Sequence, residues 1–119
     1  FYGARDLAHI PYKAELDAMA AKGLKVVYVL SDQEAPGYEH GFITAALTET
    51  DYDFTYACGP EPMLKALYQA TDKPGQYSFE ARMACGFGAC MCCSVETADG
   101  AKRICKDGPV FRKEELIWK

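Results

Sequence analysis

Cysteine chemistry dominates the second half of this 119-residue chain: Cys85, Cys90, Cys92 and Cys93 crowd into nine residues, and Cys105 follows. With Cys92 set aside, four residues and then two separate the first three thiols, and eleven more precede Cys105. A gap of four, a gap of two and a distant fourth cysteine is the plant-type pattern for a [2Fe–2S] cluster held by four thiolates. The first gap must arch over the cluster, and Gly86 and Gly88 permit the positive φ angles of such an arch. Its N–H groups can then point at the sulfurs, offsetting negative charge and setting the potential. Arg82, Lys102, Arg103 and Lys106 are candidates to balance the remaining charge, or else ordinary solvated cations.

The fourth ligand must be brought back by a fold in the chain. Ala98-Asp99-Gly100 is a turn signal between two strand-like runs, Met91 to Thr97 and Ala101 to Lys106. A three-residue loop sets Thr97 against Ala101 and Cys93 against Cys105; a two-residue turn shifts the register by one. Four cysteines also suffice for structural zinc, but zinc sites pair two short knuckles and this chain has one plus a glycine-bearing arch. Such dense clustering, with Cys92 and Cys93 adjacent, argues against a disulfide framework. Cys92 would break the two-residue gap, so it reads as a neighbour of the cluster.

The run from Phe79 through Glu80-Ala81-Arg82-Met83-Ala84-Cys85-Gly86-Phe87-Gly88-Ala89-Cys90, then Cys93 and Cys105-Lys106-Asp107-Gly108-Pro109-Val110-Phe111, resembles a known domain. It is similar to the iron–sulfur domain of the electron-transfer subunit of class 1B dihydroorotate dehydrogenase. The resemblance implies a subunit that binds FAD and one [2Fe–2S] cluster, with Cys85, Cys90, Cys93 and Cys105 as ligands. It also implies electron passage from the FMN of a partner catalytic dehydrogenase subunit to NAD, in pyrimidine biosynthesis. Related iron–sulfur flavoprotein reductases acting on sulfide, polysulfide or ferredoxin form the nearest alternative, and a zinc-binding module without redox activity is the alternative outside that class.

The elements that must position these residues follow an α/β pattern. Half the residues are hydrophobic, enough for a real core in a chain small for two full domains. No apolar run approaches a membrane span, and a net charge of −4 gives nucleic acid no electrostatic support. Reduced, metal-binding cysteines fit the cytoplasm. The spacing of Leu7, Ile10, Leu16 and Met19 predicts a turn, broken at Pro11, and then a helix stopped by Gly23. Leu24 to Leu30 is an almost continuously apolar, β-branched run, as in a strand buried on both faces of a parallel sheet. A loop from Ser31 to His40, a helix over Glu39 to Thr48, a strand over Asp53 to Ala57 and a helix from Glu61 to about Thr71 complete the alternation.

Two stretches in this first part carry a second resemblance. Phe1-Tyr2-Gly3-Ala4-Arg5 and Tyr56-Ala57-Cys58-Gly59-Pro60-Glu61-Pro62-Met63 look like the second half of the NAD-binding domain of the ferredoxin reductase superfamily. That likeness assigns Gly3, Ala4 and Arg5 to the ribose or phosphate side of a dinucleotide. It assigns Cys58, Gly59, Pro60 and Met63 to the nicotinamide side, at the carboxyl end of a parallel strand where open α/β sheets bind ligands. His9 and His40 are isolated in sequence, so Cys58 reads as a cofactor contact rather than a nucleophile. The expected architecture is a partial parallel-sheet, ferredoxin reductase-like NAD-binding domain over residues 1–78 and a small, mostly β [2Fe–2S] domain over 79–119. Against the family, the N-terminal β-barrel, first strand and glycine-rich phosphate loop are absent, so the chain reads as a C-terminal piece, inactive alone and poor at holding FAD. The open sheet edge predicts homo-oligomer formation or partner pairing.

Overall fold

The computed structural model describes residues 1–119, which divide into two compact units, Phe1–Thr50 and Asp51–Lys119. In the first, β1 (Tyr2–Ala4), β2 (Tyr28–Leu30) and β3 (Glu39–His40) form a parallel sheet in that order. Val29 and Leu30 are both buried, so consecutive side chains are covered on opposite faces, as the apolar run predicts. The strand is shorter than expected, because Leu24 is half exposed and regular pairing begins at Tyr28. Asp6 caps a 3₁₀ turn, Leu7–His9, through the Ala8 N–H; α1 (Lys13–Ala20) follows beyond Pro11. Lys13 and the Tyr28 hydroxyl both bond to Asp17, tying α1 to β2. The helix expected over Glu39 to Thr48 is confined to α2 (Ile43–Thr48), since Glu39 and His40 pair with β2 and Gly41 intervenes.

In the second unit, β4 (Thr55–Cys58) runs parallel to β5 (Gly75–Ser78), and α3 (Glu61–Ala70) connects them. Pro62 occupies the first turn of α3, where its missing N–H has no partner to lose, and Leu64 and Leu67 are buried. β8 (Val110–Arg112) adds antiparallel to the far side of β5. Neither β5 nor β8 is expected from hydrophobic pattern: β5 reads Gly-Gln-Tyr-Ser, and Val110 to Arg112 sits behind a turn signal. Their pairing joins residues 51–78 to the cysteine segment in one packing unit. Its core gathers Tyr77, Phe79 and Phe111, with the Phe79 and Phe111 rings edge to face at 5.6 Å and the Trp118 ring 5.2 Å from Phe79.

The hairpin of β6 (Ser94–Thr97) and β7 (Gly100–Arg103) corrects the expected register. Thr97 pairs with Gly100 and Ser94 with Arg103, leaving Ala98 and Asp99 as the loop. Gly100 follows the turn at φ +101°, the left-handed position that lets a tight turn re-enter a strand. One step beyond β6, the Ile104 N–H bonds to the Cys93 carbonyl at 3.0 Å, so Ile104 rather than Cys105 stands opposite Cys93.

Candidate functional site

The fold brings the four proposed ligand cysteines into two pairs. Cys105 lies diagonal to Cys93, and its N–H still reaches Cys93 Sγ at 3.4 Å. The arch between Cys85 and Cys90 turns back on itself, so that the Ala89 N–H points at Cys85 Sγ at 3.3 Å. Gly86 and Gly88 sit at φ +72° and +91°, the conformations the arch requires of them. Backbone N–H groups of Cys90, Phe87 and Ala89 hold the Cys85 thiol down to about 6, well below the ordinary thiol range. The Cys105 N–H lowers Cys93; in turn the Cys93 thiol, burial and the charges of Cys93 and Cys85 raise Cys105.

No three His, Cys, Asp or Glu side chains converge on one ion position. The sulfurs stand as Cys85 with Cys90 and Cys93 with Cys105, and a two-iron core asks for two thiolates on each iron. Four thiols so paired, two of them receiving backbone N–H bonds, fit that group in both donor type and charge. Cys92 is exposed and, with the neighbouring Cys93, lines a cavity of about 580 Å³ together with Arg82, Phe79 and Trp118. Of the cations considered for charge balance, Lys102 turns to Glu115 at 2.8 Å and Asp99 at 3.5 Å. Arg103 instead reaches the Gly88 carbonyl at 2.9 Å, and the Lys106 stem covers Gly88.

The residues expected on the nicotinamide side, Cys58, Gly59, Pro60 and Met63, cluster at the carboxyl end of β4. Cys58 pairs with Ser78, which pairs with Val110, and a cavity of about 210 Å³ is lined by Tyr56, Ala57, Cys58, Gln76, Ser78 and Val110. Cys58 is exposed with no histidine in that lining, and Met63 folds over Gly59, where an added Cβ would stand 2.5 Å from Met63 Cε. Pro60 begins the turn into α3.

In the other unit, Gly3 and Ala4 form the end of β1 and Arg5 follows, exposed. Arg5 Nη2 lies 3.1 Å from His9 Nε2, and His9 Nδ1 lies 2.7 Å from Asp6 Oδ1. His9 is therefore not isolated: it orients Arg5, and hydrogen bonding to His9 lowers the Asp6 carboxyl. The signal lay in the spacing, three residues from Asp6 and four from Arg5, but a histidine reads as solitary until the 3₁₀ turn is known.

Comparison with known proteins divides the chain later than the two packing units do. Residues 1–69 match the oxidoreductase NAD-binding domain, and residues 80–117 match the iron–sulfur cluster binding domain of dihydroorotate dehydrogenase B. The electron transfer subunit of dihydroorotate dehydrogenase B (NAD(+)) from Caldanaerobacter subterraneus is 39% identical over 106 residues, covering 82% of this chain and 42% of that protein. A homolog of that subunit from Aquifex aeolicus is 38% identical over 119 residues, covering 98% of this chain and 45% of that protein. The chain thus spans less than half the length of these curated relatives. A solved chain of an NADH-dependent reduced ferredoxin-NADP oxidoreductase superposes with TM-score 0.77 at 25% identity, covering 98% of this chain and 42% of that one.

Proposed function

Because the chain belongs to the oxidoreductase NAD-binding family and carries the iron–sulfur cluster binding domain of dihydroorotate dehydrogenase B, we propose that it is the C-terminal part of an electron-transfer subunit of that enzyme. In this reading residues 1–78 serve the nucleotide and residues 79–119 the cluster. Cys85, Cys90, Cys93 and Cys105 hold a [2Fe–2S] cluster; Gly3, Ala4 and Arg5 face the ribose or phosphate of NAD; Cys58, Gly59, Pro60 and Met63 face the nicotinamide beside FAD. When bound, the cluster supplies single-electron exchange and the flavin interconverts single electrons with hydride.

The observation that carries the reading is the sheet row Cys58–Ser78–Val110. It fixes the nicotinamide-side motif and the strand that follows the cluster loop to opposite edges of β5. In this reading Cys58 contacts a flat ring at the mouth of the cavity lined by Tyr56, Gln76, Ser78 and Val110. An FMN-containing dehydrogenase subunit acting on dihydroorotate is the proposed electron donor, in the cytoplasm. No helix is long and apolar enough to cross a membrane. The open edges of β1 and β4 are free to take a further strand, from residues of the longer protein or from a second copy. Residues 1–119 by themselves bind FAD weakly and have no dehydrogenase activity.

Metal analysis with a visible spectrum on anaerobically purified full-length protein tests this. About two irons and two labile sulfides per chain, with colour bleached by NADH once flavin is bound, are expected. One zinc and no colour after anaerobic reconstitution would replace the reading with a zinc-stapled binding module.

A further inference from the structure

Three bonds of Arg103 bear on one peptide group of the cysteine loop. Nη1 donates to the Gly88 carbonyl at 2.9 Å, while Nε and Nη2 face the Asp107 carboxylate at 3.0 and 3.4 Å. Asp107 is itself held in place: its Oδ2 accepts the Arg103 N–H at 2.8 Å, and its own N–H donates to the Arg103 carbonyl at 2.7 Å. On the far side of the Gly88–Ala89 peptide, the Ala89 N–H points at Cys85 Sγ at 3.3 Å. A trans peptide is planar, with its C=O and N–H directed oppositely. Holding the carbonyl therefore aims the N–H.

We propose that Arg103, oriented by Asp107, is a positioning residue for the cluster: through the Gly88–Ala89 peptide it aims an N–H at the Cys85 sulfur and so raises the reduction potential. The inference rests on the cluster assignment above. Reduction adds an electron to an anionic group, so a donor directed at sulfur favours the reduced form. The bond to a guanidinium is charge-assisted and polarises the peptide, which strengthens the second bond in the series. Lys102, the adjacent residue, carries the same charge but spends it on Glu115 and Asp99 and touches no part of the loop. Lys102→Gln is thus a control for a nearby cation with other partners, whereas Arg103, whose charge also acts on the Cys105 and Cys93 thiols, needs the charge-conserving Arg103→Lys to separate the peptide contact from charge alone.

The test is an EPR-monitored redox titration of the full-length protein, cluster reconstituted, as wild type and as Arg103→Gln, Arg103→Lys, Asp107→Asn and Lys102→Gln. Arg103→Gln is expected to lower the one-electron equilibrium constant about tenfold, a downward shift of about 59 mV. Asp107→Asn moves the same way by less, and Arg103→Lys recovers only part, since lysine offers a point charge without the fork. Lys102→Gln stays near wild type. An unchanged potential in Arg103→Gln, or an equal shift in Lys102→Gln, overturns the proposal and leaves the cluster assignment standing. If Arg103→Gln takes up no cluster, Asp107→Asn decides on the same two criteria. Wild-type protein that binds no iron overturns the cluster assignment, and with it this inference.

Discussion

Alanine at Gly86 and alanine at Gly88 pose the same backbone problem in different surroundings, and their comparison measures how the cysteine loop is held. Both residues have left-handed φ, +72° and +91°, where a side chain costs an L-residue about 1–2 kcal/mol. At Gly86 an added Cβ meets nothing within 4 Å, so that cost is the whole effect. It corresponds to a factor of about 5–30 in a conformational equilibrium. At Gly88 the Cβ would stand 2.8 Å from Lys106 Cδ, 3.2 Å from Lys106 Cβ and 3.3 Å from Arg103 Nη1. The end of the Lys106 stem can swing away, but its Cβ moves only with the backbone beside Cys105, and the guanidinium on the Gly88 carbonyl must shift by a few tenths of an ångström. Gly88→Ala therefore adds the disturbance of an outer contact of the ligand loop, about tenfold or more on top of the backbone cost. The assay is anaerobic release of iron to a chelator from the full-length protein, where release follows opening of the loop. Gly86→Ala should release iron about 5–30 times faster than wild type, and Gly88→Ala at least about ten times faster again. Equal rates in the two variants would refute the packing of the arch against Arg103 and Lys106. A wild-type rate in Gly86→Ala would show that the bound loop has abandoned positive φ there.

Four further outcomes are expected. The Tyr77 hydroxyl is buried without a partner, so Tyr77→Phe should be neutral or stabilise by up to about 1 kcal/mol in urea unfolding; a clear loss would mean the hydroxyl is satisfied. Burial pushes the same phenol up to about 12 from 10.0, so the folded state keeps a proton that the unfolded chain releases. Stability should fall as pH rises through that window in wild type and less in Tyr77→Phe. In the metal-free protein the Cys85 thiol, held at about 6 by backbone N–H groups, should be mostly thiolate at neutral pH. Mass mapping should find it alkylated ahead of Cys105, with the rate declining as pH falls through 6; preferential modification of Cys105 would contradict the geometry. Finally, Cys92→Ser should keep the cluster spectrum and Cys105→Ser should lose it, and the reverse would reassign the fourth ligand.

The alternation of helix and strand was legible because Val29 and Leu30 lie in an apolar run, and because Pro11, Gly23 and Pro62 mark where helices start and stop. The glycine arch was legible for a similar reason: Gly86 and Gly88 are local requirements written as local residues. What escaped the sequence is non-local. β5 is a strand because it pairs with β4 on one side and β8 on the other, β8 because it pairs with β5, and neither carries enough hydrophobic pattern to announce itself. The hairpin register turned on whether Ala98-Asp99-Gly100 closes with two residues or three, a choice made by Gly100 re-entering the ladder. Among the four cations near the cysteines, composition could not single out Arg103; that needed Asp107 in its place four residues on and Gly88 folded underneath.

Those two missed strands bear directly on the proposed electron path. Neighbouring strands lie about 4.8 Å apart, so Cys58 and Val110, on either side of Ser78, are separated by two spacings, about 10 Å. Val110 follows the Cys105 turn after only four residues, and Phe111 beside it is pinned in the core against Phe79 and paired with Tyr77. A ring seated at Cys58 and a cluster held by Cys105 would then be placed by one sheet and one aromatic core, with no loose linker between their supports. Electron exchange over such a distance is sensitive to separation, so a frame that fixes it matters more than any reactive side chain. If the cluster and the ring sit as proposed, the pairing of β8 with β5 would set how far apart the two stand.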